Sequence, residues 1–236
     1  MGGADSKTCP GRGPEAYACL FPAVIKGWRA AFAAPDLFFA FVQLSPYTPY
    51  ACGRPAARLA LPRLRDAQLA GLAVEHTAVV TAIDLGDADS PYRDVHPRPK
   101  APIGERLAAA LAAQLYGIAG VAHRSPMLES AALTTAGVTV TFQAATCGGG
   151  LVSRPEPECP ATLEAGMCAG WELQAADGVW VAASAAVTGR ESVTVTAPGL
   201  AGAPLGVRYA YAPFPLVSLF SGDGLPALPL SAQLGV

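Results

Sequence analysis

The densest group of side chains that could carry out acid–base chemistry lies in one polar stretch, residues 84–100. His96 is the only histidine in it. The stretch also carries four carboxylates: Asp84, Asp87, Asp89 and Asp94. Near neutral pH an imidazole can take up and return a proton, and a carboxylate on its far nitrogen can fix its tautomer. The stretch therefore predicts His96 as a catalytic base. The alternative is a loop histidine that caps the following helix.

No residue pattern identifies a nucleophile for such a base. The G-x-S-x-G turn of many serine hydrolases is absent. Ser6 follows an aspartate near the start of the sequence, but no strand precedes it to build a strained turn. Ser45 follows an apolar run and is better placed, yet Pro46 comes next and no motif surrounds it. Neither serine has the surroundings that activate a hydroxyl.

Two other groups of side chains are interpreted as structural. His76 precedes a strand among apolar neighbours, and His123 lies in a turn-rich linker. An aromatic set in the second half could stack on a sugar: Trp171, Trp180, Tyr209 and Tyr211. Aromatic residues at period two belong to a core more often than to a binding surface.

The six cysteines predict a disulfide and no metal site. There is no C-x-x-C pair, and the histidines do not stand at zinc-ligand spacing from the cysteines, so we expect neither a zinc site nor a cofactor. Cys147, Cys159 and Cys168 lie within a Gly- and Pro-rich stretch. This clustering predicts at least one disulfide and an oxidising compartment. Cys19 is interpreted as a small apolar residue in a helix.

Helical and strand patterns alternate in the first half of the sequence. Apolar residues recur at helical spacing over 21–33, 58–73 and from Pro102, and two apolar runs of strand length cover 37–44 and 78–83. This alternation predicts a parallel sheet with helices packed on it. His96 then lies beyond the carboxyl end of the second strand, where open α/β sheets bind ligands. Arg106 is expected to be solvated, because it faces away from the apolar stripe of its helix.

The second half of the sequence has a different periodicity. Residues alternate with period two over 137–143, 178–182, 191–196 and 206–212, with turn residues between these segments. The pattern predicts an antiparallel sheet or a small sandwich. We therefore expect an α/β domain over 1–118 and an all-β domain over 119–236.

Charge and hydropathy exclude some classes of function. The sequence has 16 Lys and Arg residues against 18 Asp and Glu residues, so it lacks the basic excess expected of a nucleic-acid-binding protein. No apolar run reaches the ~18 residues that span a bilayer. The first twenty residues do not have the pattern of a signal peptide. We expect neither a nucleic-acid partner nor a membrane span.

A series of segments in fixed order carries a family resemblance. In the first half these are residues 17–29, 39–45, 64–68, 83–87, 94–100, 104–108 and 115–117, and in the second half 170–173, 206–211 and 225–229. The sharpest is Asp-Val-His-Pro-Arg-Pro-Lys at 94–100. Taken together, the segments resemble the sialate O-acetylesterases of the SGNH-hydrolase type. The resemblance extends over nearly the whole sequence.

The resemblance implies an activity and assigns roles to residues. Enzymes of this family remove acetyl groups from sialic-acid hydroxyls by a Ser-His-Asp-like mechanism, so the implied ligand is an O-acetylated sialic acid or a related acetylated sugar. His96 corresponds to the catalytic histidine. Arg93 stands three residues before it, so the common Asp-x-x-His spacing is absent. Asp94 is therefore the first choice for the acid, with Asp87 and Asp84 behind it.

The resemblance also implies a fold and a location. It predicts a partial SGNH-hydrolase-like parallel sheet with flanking helices over 1–118, followed by an all-β antiparallel, sandwich-like domain over 119–236. The family context indicates a lysosomal or extracellular protein.

The sequence departs from the family pattern at several places. Nothing in it matches the family's nucleophile block or the Trp-Tyr-Gln-Gly-Glu-type run that lines the active site, and Pro99 stands where the family usually has an acidic residue. We therefore expect the chain to correspond to the C-terminal half of the enzyme and to be catalytically incomplete alone, with an N-terminal half missing. A truncated gene model, a processed piece and a degenerate paralogue stay open. A non-catalytic carbohydrate-binding or interaction module is the alternative function.

Overall fold

The computed structural model describes residues 13–48, 57–164 and 166–235. Ser6, Cys9 and Cys52 lie outside these ranges. The chain divides into two compact units, Met1–His123 and Arg124–Val236. The first combines helices with parallel strands and the second is built from antiparallel strands, so the fold is mixed helix and sheet.

The first unit alternates helices and strands in the predicted order. Its elements are α1 (Pro14–Ala31), β1 (Phe39–Gln43), α2 (Ala57–Gln68), a 3-10 turn (Leu69–Ala73), β2 (Thr77–Thr81) and α3 (Ala101–Gln114). Strands β1 and β2 pair in parallel, with Phe39 opposite Thr77 and Gln43 opposite Thr81. The parallel pairing predicted from the alternation is confirmed.

Helices cover both faces of this strand pair, which explains the continuous apolar runs at residues 39–42 and 78–80. On one face, Ala110 and Leu107 of α3 pack with Ala78 and Val80 of β2. On the other face, the ring of Phe21 in α1 lies 5.0 Å from the ring of Phe41. A strand buried on both faces reads as a continuous apolar run rather than as an alternation.

Helix α1 begins earlier than the sequence pattern predicts. We expected it over 21–33, because Pro22 argues against an unbroken helix; instead it begins at Pro14, with Pro22 inside it. Proline fits the first turn, where its missing N–H has no intrahelical partner. Tyr17 and Ile25 are buried on the same face on either side of Pro22. This packing stabilises the added turns enough to offset the interior proline.

The described residues of the second unit form ten strands, all in antiparallel pairs. They are β3 (Leu128–Thr134), β4 (Gly137–Phe142), β5 (Leu151–Ser153), β6 (Trp171–Gln174), β7 (Trp180–Ala182), β8 (Ser184–Val187), β9 (Ser192–Thr196), β10 (Gly206–Tyr209), β11 (Leu219–Ser221) and β12 (Leu230–Gln233). Two sheets have four strands each, in the orders β3-β4-β9-β8 and β12-β10-β6-β7, and β5 pairs with β11. The antiparallel prediction is confirmed.

One apolar core lies inside this second unit. Val138, Val140 and Phe142 of β4 are fully buried, and the threonines between them are not. Val207 and Tyr209 of β10 join the same core from the other four-stranded sheet. The period-two alternation in the sequence therefore marks the inward side chains correctly.

No helix within the described ranges has both the length and the apolar character that crossing a membrane requires.

Candidate active site

The candidate site lies where β1 and β2 end. Because the two strands are parallel, their carboxyl ends meet at one edge of the sheet. Residues 44–48 leave β1 at this edge, and residues 82–100 leave β2 and lead into α3. His96 belongs to this second segment, so it lies beyond the end of β2 and shortly before α3, as the sequence predicts.

The backbone around His96 is folded into successive turns. The His96 N–H donates to the Arg93 carbonyl at 2.9 Å, and the Ser90 hydroxyl donates to the His96 carbonyl at 2.7 Å. Arg93 has φ +74°, a left-handed conformation that costs a non-glycine residue about 1 kcal/mol or more. The chain thus reverses direction between Asp94 and His96. Such a turn is necessary for these two side chains to approach each other, because they are only two residues apart.

The His96 side chain is exposed, and its ring has no hydrogen bond or ion pair with any described residue. The contact expected between this ring and a carboxylate is therefore not present in this structure. Exposure keeps the ring accessible to a substrate and does not fit a purely structural core histidine. Its role as a base remains a prediction.

Asp94 is buried beside the segment that follows β1. Its residue exposure is 3%, and its Oδ2 accepts the Thr48 N–H at 2.6 Å and the Thr48 hydroxyl. Its Oδ1 is also buried, and no hydrogen-bond partner for it exists among the described residues. A buried carboxylate oxygen without a donor is costly, so this atom marks the place where a donor is missing.

Asp84 is held by an arginine of the following helix. The Arg106 Nη1 and Nη2 donate to the two carboxylate oxygens of Asp84, both at 2.7 Å, and Nη1 also donates to the Thr81 carbonyl at 2.6 Å. The side chains are 13% and 18% exposed. The prediction that Arg106 is solvated is wrong, because helical periodicity does not reveal a carboxylate supplied by another element.

Asp87 is held by an arginine of its own loop. Arg98 donates to it from the backbone N at 3.0 Å, from Nε at 2.6 Å and from Nη2 at 2.8 Å. These hydrogen bonds, followed by the charge of the guanidinium, lower the pKa of the Asp87 carboxyl to about 2. Both oxygens of Asp87 and both of Asp84 are therefore occupied. Of the three ranked candidates for the acid, Asp94 is the one with an oxygen that accepts from no donor among the described residues.

A buried arginine lies beneath the site, and sequence reasoning did not single it out. Arg65 of α2 is fully buried, and its Nε and Nη2 donate to the carbonyls of Leu44 and Ser45 at 2.9 and 3.0 Å. Burial lowers the pKa of this guanidinium to about 9, so it remains charged at neutral pH. Arg65 thus fixes the first residues of the segment that leads to Thr48.

Two glutamines complete the support of this edge. Gln68 of α2 donates to the Val42 carbonyl at 2.9 Å and accepts the Leu44 N–H at 3.0 Å, so its amide acts as a short extra strand beside β1. The buried Gln43 accepts the Thr81 hydroxyl at 2.9 Å and links the two strand ends. The sequence could have identified these three supporting residues, because each is a polar residue that interrupts an apolar segment, at positions 43, 65 and 68.

The structure gives no described serine a catalytic partner. The Ser45 carbonyl accepts from Arg65, but the Ser45 hydroxyl has no hydrogen bond with His96 or with any other described side chain. His76 lies 4.0 Å from Asp36, and the His123 Nδ1 lies 2.8 Å from its neighbouring Val121 carbonyl. Neither histidine has a serine partner among the described residues.

The aromatic set of the second unit does not form one exposed surface. Trp171 and Tyr209 are buried, with their rings 4.5 Å apart. Trp180 is partly exposed, and the Arg208 guanidinium lies 4.3 Å from the centre of its ring. Arg208 itself forms a bidentate pair with Glu172, at 2.6 and 2.8 Å. Core packing therefore accounts for two of the four aromatic residues.

The cysteine prediction is confirmed: Cys159 and Cys168 form a disulfide. Cys147 is a buried thiol, and Cys19 lies on α1 as predicted but is exposed. No group of three potential ligands close enough to hold a metal ion occurs in the part of the chain that the structure describes.

Known proteins resemble this chain in sequence and in fold. No protein-family model matches it. The sialate O-acetylesterase of Rattus norvegicus is 32% identical over 126 residues, which cover 48% of this chain and 22% of that protein. The sialate O-acetylesterase of Homo sapiens is 30% identical over 128 residues, or 49% of this chain and 24% of that protein. The matched stretch thus spans about a quarter of these curated relatives.

A solved structure extends the similarity to nearly the whole chain. The crystal structure of a carbohydrate acetylesterase from Xanthomonas citri superimposes with a TM-score of 0.73 and 28% sequence identity. The superposition covers 92% of this chain and 46% of that enzyme. The resemblance predicted from the ordered segments is confirmed: this chain is similar to sialate O-acetylesterases over about half of its length and to a carbohydrate acetylesterase structure over nearly all of it.

Proposed function

We propose that this chain is the histidine-bearing part of a carbohydrate esterase that removes O-acetyl groups from sialic acids or related sugars. The observation that carries the proposal is the exposed His96 at the carboxyl ends of two parallel strands, in a chain similar to acetylesterases. In this proposal, residues 1–118 are a partial SGNH-hydrolase-like domain and residues 119–236 are a sandwich-like β-domain.

The proposed chemistry is acyl transfer through a serine, with His96 moving the proton. The serine oxygen forms a bond to the acetyl carbonyl carbon while its proton passes to the His96 ring. The bond to the sugar oxygen then breaks, and the ring returns the proton to that oxygen. Water repeats the sequence on the acetyl-enzyme and releases acetate. No cofactor takes part in these steps.

Asp94 is the proposed acid that orients the His96 ring. Its free Oδ1 supports this role, because the oxygens of Asp84 and Asp87 already accept from arginines. Pairing requires the His96 side chain to rotate toward Oδ1. The exposed ring has room for this rotation in the chain alone, and catalytic hydrogen bonds are often unformed in structures without a ligand, so the outward ring is compatible with the role.

In this proposal, the described part of the chain does not supply the serine nucleophile. No described serine forms a hydrogen bond with the His96 ring, and the part of the Xanthomonas citri enzyme that superimposes is about half of its length. We therefore expect the chain alone not to hydrolyse p-nitrophenyl acetate appreciably, because among the described residues nothing supplies a serine paired with His96 or a set of oxyanion donors. Such donors are commonly worth about 100- to 1000-fold in rate. A rate well above that of free imidazole, and lost in His96→Ala, would contradict this part of the proposal.

A chimera tests the function itself. The matching 46% of the Xanthomonas citri enzyme is replaced by this chain, and hydrolysis of O-acetylated sialic acid and of p-nitrophenyl acetate is measured. We expect activity that falls about 100-fold or more in His96→Ala, as for other acid–base residues, and that survives the matched change His123→Ala. A folded chimera with equal activity in both variants would exclude His96 as the base.

The alternative, a carbohydrate-binding module in the second unit, has less support. It relies on exposed aromatic side chains, and Trp171 and Tyr209 are buried. Binding of acetylated sugar that disappears in Trp180→Ala but persists in His96→Ala would favour it.

A further inference from the structure

We infer that Thr48 is a positioning residue for His96, acting through Asp94. The inference rests on the proposed function, because it concerns the acid that orients the proposed base. Thr48 is not part of any motif and lies 46 residues from Asp94 in sequence. It reaches the candidate site only because β1 and β2 end at the same edge.

Thr48 holds one oxygen of Asp94 twice. Its backbone N–H donates to Oδ2 at 2.6 Å, and its hydroxyl donates to the same oxygen. Hydrogen bonds to a carboxylate are stronger than those between neutral groups, and here the bonds are partly buried and the carboxylate is buried. Two donors on one oxygen orient the carboxylate and leave Oδ1 as the oxygen that accepts from no described residue.

The position of Asp94 in turn constrains His96. Both residues belong to the turn that the His96 N–H closes on the Arg93 carbonyl, with Arg93 at positive φ. A turn with so unfavourable a residue needs external support. Thr48 supplies that support from outside the loop, while the Ser90 hydroxyl supplies it from within.

Thr48 is itself attached to a fixed point. The carbonyls of Leu44 and Ser45 accept from the buried Arg65, so the segment 44–48 is held at both ends. A chain of contacts thus runs from α2 through this segment to Asp94. Threonine suits the last position, because the same residue supplies a backbone and a side-chain donor to one oxygen.

The prediction concerns the tautomer of His96. If Oδ1 accepts from the His96 Nδ1–H, the neutral ring is held with its proton on Nδ1 and its Nε2 free to act as a base. Neutral imidazole in water prefers the opposite tautomer. The two ring ¹⁵N chemical shifts of His96, measured on the whole chain at a pH where the ring is neutral, report the ratio directly.

Three variants separate the possible causes. Thr48→Val removes the hydroxyl donor and keeps the size of the side chain, and we expect the ratio of Nδ1–H to Nε2–H to fall about threefold or more. Thr48→Ser keeps both donors and should retain the wild-type ratio. Thr77→Val is the matched control, because it removes a hydroxyl that donates to Gly71 and Val74 at the other end of β2. It should leave the ratio unchanged.

The results separate two claims: that Thr48 positions Asp94, and that Asp94 pairs with the His96 ring. If Asp94→Asn shifts the ratio but Thr48→Val does not, the role of Thr48 is wrong and the proposed acid stands. If the wild-type ratio is that of free histidine and Asp94→Asn leaves it there, the proposed pairing fails, and the role of Thr48 with it. If Thr48→Val does not fold, Thr48→Ser decides: a folded Ser variant without the Nδ1–H preference overturns the inference.

Discussion

Asp84 and Arg106 form a bidentate ion pair that joins the end of β2 to helix α3, with both N···O distances at 2.7 Å. The pair lies at the base of the loop that carries His96, and both side chains are mostly buried. A third hydrogen bond from Arg106 to the Thr81 carbonyl extends the attachment into the strand. The pair thus fixes both ends of the loop relative to the sheet.

Removing the arginine should loosen this end of the sheet. Arg106→Met leaves a mostly buried carboxylate without its partner, which we expect to cost about 2 kcal/mol, below the range for fully buried pairs. Amide exchange in β2 should then be about 30-fold faster, as measured by hydrogen–deuterium exchange. The double variant Asp84→Asn, Arg106→Met should recover part of the protection. Equal exchange in the wild type and in Arg106→Met would show that the pair contributes nothing.

The ion pair between Arg98 and Asp87 should shift the titration of the Asp87 carboxyl but have only a small effect on the stability of the fold. Arg98 lowers the pKa of Asp87 to about 2, but the Arg98 side chain is 57% exposed, so solvent and salt screen the pair. The pKa is below that of the unfolded chain, so the stabilisation is present above about pH 4 and is lost as the pH falls toward 2. The Asp87 carboxyl ¹³C shift, followed as the pH is lowered, should still be that of the ionised form at pH 3.

The variant Arg98→Gln is the control for this titration. The midpoint for Asp87 should move up toward the ordinary value of about 3.9, and high salt should move the wild-type midpoint in the same direction. A wild-type midpoint near 4 at low salt would contradict the assigned cause.

The fold was predictable where a long run of residues repeats one pattern. The two parallel strands and α3 follow from continuous apolar runs and four-residue spacing, and β4 and β9 follow from strict alternation. Strands β3, β5, β6, β8, β11 and β12 were not predicted. Most of these have only three or four residues, too few for a period to emerge.

The candidate site was predictable only in its local part. His96 and its loop follow from residue type and position, because strand and loop are contiguous in sequence. The partners of Asp84 and Asp94 did not follow, since Arg106 and Thr48 reach them across 22 and 46 residues. The periodicity of a sequence indicates which face of a helix is apolar, but it does not indicate which polar side chain of another element contacts that helix.

The buried Tyr209 should make the second unit less stable at alkaline pH. Its buried phenol oxygen accepts the N–H groups of Ser218 and Leu219 at 2.9 and 2.8 Å, and burial raises its pKa to about 12. A raised pKa means that the stabilisation is complete below the unfolded value of about 10 and is lost as the pH rises from 10 toward 12. Two pKa units correspond to about 3 kcal/mol. The urea midpoint of the second unit should therefore fall steeply above pH 10.

Tyr209→Phe should be less stable at neutral pH, by about 1–3 kcal/mol, because two buried amides lose their acceptor. It should also lose less stability between pH 10 and 12 than the wild type does. Tyr116→Phe is the matched control, because Tyr116 is 72% exposed. Parallel pH profiles for the wild type and Tyr209→Phe would remove Tyr209 as the source of the alkaline loss.

The thiols of Cys19 and Cys147 should differ sharply in reactivity. Cys147 is 2% exposed, and burial raises the pKa of its thiol, so little thiolate is present and little reagent reaches it. Cys19 is exposed on α1. Brief iodoacetamide treatment of native protein, followed by peptide mass mapping, should label Cys19 and leave Cys147 unlabelled. Urea should make both thiols react.

A peptide mass map made without reducing agent should contain the linked Cys159 and Cys168 peptides when the protein is made in an oxidising compartment. This bridge closes a short loop and should contribute about 2–3 kcal/mol. Its selective reduction should therefore lower the urea midpoint of the second unit and speed the labelling of Cys147. Rapid labelling of Cys147 in native, oxidised protein would contradict its place in the core.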